Sequence, residues 1–149
     1  MDGQVSREMQ VEREALFTLM ASAFARRDFD AVAGGVLPEV VLTLKGSSWL
    51  AGTYRGYEEF SHYVLGARLV LEPAGNPITY LHHGDEMVVM HEFRVGRLVG
   101  SAEVPLHISV QFADDGRLAS LLVQPKDQAL FDKAVDSILQ PKDRYDQTG

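Results

Sequence analysis

From residue 68 to residue 123 the chain is written as four strand-like runs separated by short turns, and so much consecutive strand has to be closed into one sheet. The runs are 68–72 continuing past Pro73-Ala-Gly-Asn-Pro77 to His83, then 86–95, 103–113 and 117–123. Their turns are Gly84-Asp85, Gly96 to Gly100, and Asp114-Asp115-Gly116. The last of these has hairpin chemistry, because glycine takes the backbone angles a tight reversal needs. Strands joined this closely pair antiparallel, so the sequence predicts a meander. Pro73 and Pro77 cannot donate ladder hydrogen bonds, so the first run must be bent, bulged or interrupted there, as at a strongly curved sheet edge.

Helical spacing frames this sheet on both sides. Over residues 7–27 the apolar positions Leu16, Phe17, Met20, Ala23 and Phe24 recur at helical intervals, with Ser6 as N-cap and no proline inside. Asp28 caps a second short helix carrying Phe29, Ala31 and Val32, which Gly34-Gly35 breaks through glycine's entropy cost and tolerance of left-handed angles. Residues 39–45 (EVVLTLK) read as a short buried strand ending at Gly46, followed by the loop GSSWLAGTYRG. Phe60, Tyr63, Val64 and Ala67 give a third helix over 57–67, and Leu130, Phe131, Ala134, Val135 and Ile138 a last one over 126–139 that Pro141 stops. The expected fold is therefore α+β. A curved antiparallel sheet wraps around three helices from the N-terminal half to leave a cone-shaped roll, and a C-terminal helix closes it. One domain spans residues 1–139, and the polar residues 140–149 form a frayed tail.

Charge and composition exclude several function classes. A net charge of -7 repels phosphate backbones and anionic lipid surfaces, and no basic run offsets it, so neither nucleic acid nor a membrane is an expected partner. With no cysteine there is no disulfide framework, thiolate nucleophile or Cys-based metal site. The first ten residues are polar and mixed in charge, unlike a signal peptide, and no apolar stretch is long enough to span a bilayer, so a cytoplasmic protein is the default expectation. Gly52 and Gly56 lack the lysine and the strand-to-helix context of a phosphate loop. No cofactor is called for.

The order of elements, together with three local stretches, resembles the nuclear-transport-factor-like superfamily, and within it the SnoaL-like, ketosteroid-isomerase-like domains. The stretches are Phe24-Ala25-Arg26-Arg27-Asp28-Phe29-Asp30-Ala31-Val32 at the end of the first helix, the glycine-bracketed loop from Gly46 to Gly56, and Pro125-Lys126-Asp127-Gln128 before the last helix. The resemblance implies a small apolar or cyclic ligand in the cone and a homodimer through the outer sheet face. It implies no particular reaction. The ketosteroid-isomerase set, a tyrosine and a protonated acid forming an oxyanion hole plus an aspartate base, falls here on Met20, Ile108 and Leu44. The Asp-Arg-Asp set of limonene epoxide hydrolases falls on Glu92-x-Arg94 and Gln124. For the histidine and aspartate of SnoaL-like cyclases, His107 stands near the first position and Gln124 at the second.

The residues themselves offer other candidates. Alternation places Met87, Val89, His91, Phe93 and Val95 on one strand face, so His91 points inward, either as a proton shuttle or as a hydrogen-bonded core histidine. In the next strand Leu106, Ile108, Val110 and Phe112 form the apolar face, leaving His107, Ser109 and Gln111 outward unless a bulge intervenes. Glu92 and Arg94 share a face and pair with each other or clamp a carboxylate. His82 and His83 are adjacent on a strand, point to opposite faces and cannot easily share one ion, so no metal is expected. Trp49 and Tyr54 form an aromatic rim at the pocket mouth, with Tyr63, Tyr80 and Phe24 lining it, or else serve as core filler. Two functions follow: a pocket protein for a cyclic or polyketide-like compound, with His91-assisted isomerase, cyclase or hydrolase chemistry; or a non-catalytic binding or assembly module dimerising through the face carrying Glu92, Arg94, His107 and Gln111.

Overall fold

The computed structural model describes residues 5–95 and 102–138. The expected turn at Gly96 to Gly100, the stop at Pro141, the domain boundary at 139 and the tail from 140 lie outside them.

Helix α1 (Arg7–Ala25) starts where Ser6 accepts a hydrogen bond from the Met9 amide at 3.1 Å. It ends with Arg27 at φ 63°, while the amides of Arg27 and Asp28 donate back to the carbonyls of Phe24 and Ala23. This left-handed stop is normally a glycine position, and an L-residue there carries roughly 1 kcal/mol of strain. Asp28 then caps α2 (Phe29–Gly34) by accepting from the Ala31 amide at 3.3 Å. Gly35 ends α2 at φ -92°, an angle open to any residue, so left-handed freedom is not its reason for being glycine.

The remaining elements are β1 (Val36–Leu44), β2 (Gly52–Arg55), α3 (Gly56–Val70), β3 (Leu71–Pro73), β4 (Thr79–His83), β5 (Glu86–Val95), β6 (Ala102–Phe112), β7 (Leu118–Pro125) and α4 (Gln128–Asp136). They form one curled sheet in the order β2-β1-β7-β6-β5-β3, with β4 also on β5. The run broken by Pro73 and Pro77 is interrupted as its prolines require. Its two pieces, β3 and β4, pair with opposite ends of β5.

Three details depart from the expected layout. The glycine-bracketed loop contains β2, which folds back on β1 with Thr43 opposite Thr53. Residues 68–70 belong to α3 and not to a strand, because Val70 continues the buried stripe of Phe60, Tyr63, Val64 and Ala67. The sheet is antiparallel except that β1 and β7 run parallel; β1 follows α2, not a hairpin with β7, so no turn fixes their directions.

The side chain of Arg68 ties the helices together. Its Nη2 donates to the Ala25 carbonyl at 3.2 Å and its Nη1 to the Leu71 carbonyl at 3.1 Å, at the C-terminal ends of α1 and α3. Both ends carry the negative pole of a helix dipole, so the guanidinium finds its compensating charge in backbone. Strand alternation supplies the other half of the core: Met87, Val89, His91, Phe93 and Val95 of β5 and Val104, Leu106, Ile108 and Val110 of β6 are buried against the helices. Among the described residues no helix is long and apolar enough to cross a membrane.

Candidate functional site

Between α1, α3 and the inner sheet face lies an apolar cavity of about 100 Å³. One face of α1 supplies Phe17, Met20, Ala21 and Phe24, which recur at the three- and four-residue spacing of a single helical stripe. Phe60, Tyr63 and Val64 come from α3 by the same rule, and His91 and Phe93 come from β5, two residues apart on its inner face. The only polar side-chain groups among the lining residues are the His91 imidazole and the Tyr63 hydroxyl, and no carboxylate lines the space.

His91 is 6% exposed and makes no side-chain hydrogen bond to a described residue, although the side-chain atoms fully buried without a partner belong to Ser48, Arg68 and His82. Its ring lies 4.2 Å from that of Phe93 at 47°. Burial without a countercharge penalises the imidazolium and lowers the pKa to about 4, so the ring is neutral at pH 7. A neutral imidazole has one donor and one acceptor nitrogen to offer a ligand. Tyr63 is held protonated: burial raises its pKa, with a further push from Tyr54, whose ring centre lies 5.2 Å away. The pair available for chemistry is thus a weak base and a weak acid.

Of the candidates read from sequence, the cavity brings together Met20, Phe24, Tyr63 and His91. The others stand elsewhere. Tyr54 lies against Tyr63 and donates its hydroxyl to the Leu50 carbonyl at 2.6 Å. Trp49 faces α4, its indole N–H shared between the carbonyls of Val135 at 3.1 Å and Ile138 at 2.9 Å. The loop is drawn there because Asp132 and Asp136 of α4 accept from the amides of Ser47 and Trp49. Tyr80 stands on β4 under α1, bonded to the Thr18 hydroxyl and edge-on to Phe17.

Gln124 is exposed and sits opposite His107, which itself lies between Met90 and Gln124 on the outer face, where the parity of β6 puts it. Glu92 accepts from the Asn76 amide at 3.0 Å instead of pairing with Arg94, which is exposed and in register with Glu72 and Glu103. His82 turns toward α1 and meets Glu14 at 2.6 Å, while the exposed His83 occupies the other face. Among the described residues no group of three metal-ligating side chains comes together. Of the isomerase-type positions, Met20 and Ile108 line the cavity with apolar side chains and Leu44 is buried.

The lining residues that sequence reading did not single out are the apolar ones, chiefly Phe17, Phe60, Phe93 and Leu106. The inward stripes contained them, but the stripes do not say where packing stops short and leaves space.

No sequence-family profile matches this chain, and no curated protein matches it in sequence. Its backbone, however, is closely similar to solved structures. An NTF2-like protein of unknown function from Burkholderia pseudomallei superposes with a TM-score of 0.71 at 22% identity, over 83% of this chain and 97% of that one. TerC, co-crystallised with polyporic acid, gives 0.71 at 20% identity over 84% and 98%. A candidate polyketide cyclase from Xanthomonas campestris pv. campestris gives 0.66 at 12% identity over 85% and 98%. The helix order, the curled sheet and these superpositions agree: this chain has the NTF2-like fold.

Proposed function

We propose that this protein binds a small, mainly apolar cyclic molecule with one hydrogen-bonding oxygen in its cone, and that the neutral His91 imidazole is the polar anchor. The observation that carries the reading is a neutral imidazole at the wall of a cavity whose lining is apolar apart from the Tyr63 hydroxyl, where a ligand carbonyl or hydroxyl finds a hydrogen-bond partner. Ordinary ligand sites span about 300–1,000 Å³, and an engineered cavity of about 150 Å³ takes benzene. At about 100 Å³ this cone is smaller than that, so a single ring is the most it takes and only with a small adjustment of the lining, and a polyketide-like compound of several rings requires a larger movement. That TerC, which shares this fold, was co-crystallised with polyporic acid supports a ligand-binding reading.

Binding is favoured over catalysis. A general base works best with a pKa near the operating pH, and an imidazole held near 4 with no carboxylate beside it accepts a proton poorly. Any isomerase-, cyclase- or hydrolase-type step here rests on His91 and the protonated Tyr63 alone.

The test is calorimetric titration with single-ring ketones and their matching hydrocarbons, for example cyclopentanone against cyclopentane. In the His91→Leu variant the ketone is expected to bind about tenfold more weakly while the hydrocarbon is unaffected, the size of one net hydrogen bond. An equal loss for both ligands, or no binding of either by the unmodified protein, would sink the reading.

A second reading, self-association through the outer sheet face, rests on how charge is distributed there. The registers align Leu81, Val88, Ser109, Leu122, Thr43 and Thr53 in one row and Thr79, Met90, His107 and Gln124 in the next, all uncharged. Glu86, Glu92, Arg94, Glu103 and Arg55 surround them. A charge-poor centre inside a charged rim is the anatomy of a protein interface. Sedimentation equilibrium is expected to give a dimer that Val88→Glu converts to monomer; a monomer at all accessible concentrations refutes it.

A further inference from the structure

A second, larger space lies along the N-terminal half of α1. It is a groove of about 600 Å³ lined by Leu16, Gly34, Gly35, Phe112 and the turn from Ala113 to Arg117. Met20 lines the inner cavity and Gly35 lines the groove, so these two residues form part of the wall between the two spaces. Their contact is unusually close. A Cβ placed on Gly35 would lie 2.5 Å from the Met20 sulfur, 3.0 Å from its Cγ and 3.3 Å from its Cε, so the thioether occupies the place of a side chain at position 35. The backbone angles of Gly35, φ -92° and ψ 0°, ask for no glycine, so close approach is what only glycine supplies here.

We infer that Gly35 is a specificity-determining residue, which sets the size of ligand the cone accepts by letting Met20 lie back out of the cavity. The inference deepens the binding reading above and rests on the cone being the ligand site. Any side chain at position 35 displaces the thioether, and in a close-packed interior the unfilled volume beside it is the cavity itself. Methionine has three rotatable bonds and a polarizable tip, so it moves into that volume without forcing the backbone. In a space of about 100 Å³, the intrusion of a few heavy atoms removes much of the room for a ring. Shortening Met20 does the reverse, deepening the cavity toward the groove.

The test uses probes without oxygen, so that it is independent of the His91 hydrogen bond. Xenon, benzene and naphthalene are titrated against isotope-labelled protein, following the methyl resonances of Val64 and Leu106. Gly35→Ala is expected to weaken xenon and benzene binding by about tenfold, the discrimination typical of a methylene-sized change in an apolar pocket, and to move the Met20 methyl resonance. Gly35→Ala/Met20→Ala is expected to recover both probes. Met20→Ala alone is expected to shift preference toward naphthalene over benzene by about tenfold. The inference is overturned if Gly35→Ala takes up xenon like the unmodified protein, if the double variant fails to recover it, or if Met20→Ala leaves the naphthalene-to-benzene ratio unchanged. It is also overturned if the unmodified protein takes up no xenon. Should this pattern hold while His91→Leu leaves ketone binding untouched, the size determinant stands and the polar anchor falls.

Discussion

Replacing Trp49 with alanine is expected to lower stability by about 3 kcal/mol while leaving ketone affinity within about twofold of the unmodified protein, because Trp49 anchors α4 and does not line the cavity. Its indole N–H donates to two carbonyls at and just past the end of α4, of which that of Val135 also accepts from the Ile138 amide at 3.0 Å. Its ring also reaches α3: a Cβ on Gly66 would stand 3.6 Å from Trp49 Cζ3. Trp49→Phe keeps most of the packing and the backbone bond to Asp136 but loses the shared indole bond, so it is expected to cost about 1 kcal/mol. Urea unfolding monitored by circular dichroism measures both losses, and hydrogen exchange over residues 131–138 reports whether α4 loosens first. A tenfold loss of ketone affinity in either variant would return Trp49 to the pocket.

The contrast between Trp49 and Met20 shows what the sequence made legible. Helical stripes and strand parity were readable because burial repeats with the period of each element, so the inward position of His91 and the outward position of His107 both follow from alternation. The caps Ser6 and Asp28 were readable for a similar reason, since their chemistry is local. Contacts between distant segments were not. Nothing near Trp49 in the chain announces Asp132, Asp136 and the end of α4, which hold its loop across more than eighty residues. The parallel pairing of β1 with β7 is non-local in the same way.

The cavity was legible as a list of apolar positions and illegible as a volume. Phe24, Tyr63 and Met20 share their stripes with residues that pack solidly, and the space depends on how α1 and α3 sit against the curl of the sheet. Gly35 read as a helix breaker, and it does end α2. That the missing Cβ makes room for a side chain fifteen residues earlier is a fact of packing, to which periodicity is blind. The same holds for Arg68, whose partners are carbonyls at two helix ends.

His91 should also make stability depend on pH in a definite direction. Its folded pKa of about 4 lies below the value of 6.5 expected when the chain is unfolded, so between these values the unfolded chain binds a proton that the folded one refuses. The stabilisation is therefore fully present above about pH 6.5 and falls by about 1.4 kcal/mol per unit as the pH drops, with no further loss below about pH 4. The total is roughly 3 kcal/mol. Carboxylates titrate at the lower end of this window as well, so the quantity to measure is the difference between the unmodified protein and His91→Leu in urea unfolding at pH 7, 6, 5 and 4. That difference is expected to change by roughly 3 kcal/mol in favour of the variant toward low pH. A flat difference would mean that the protonated ring is tolerated in the cavity, which requires water or a hydrogen-bond partner there. The imidazole would then be available as a base near neutral pH, and the balance between binding and catalysis in the cone would shift toward catalysis.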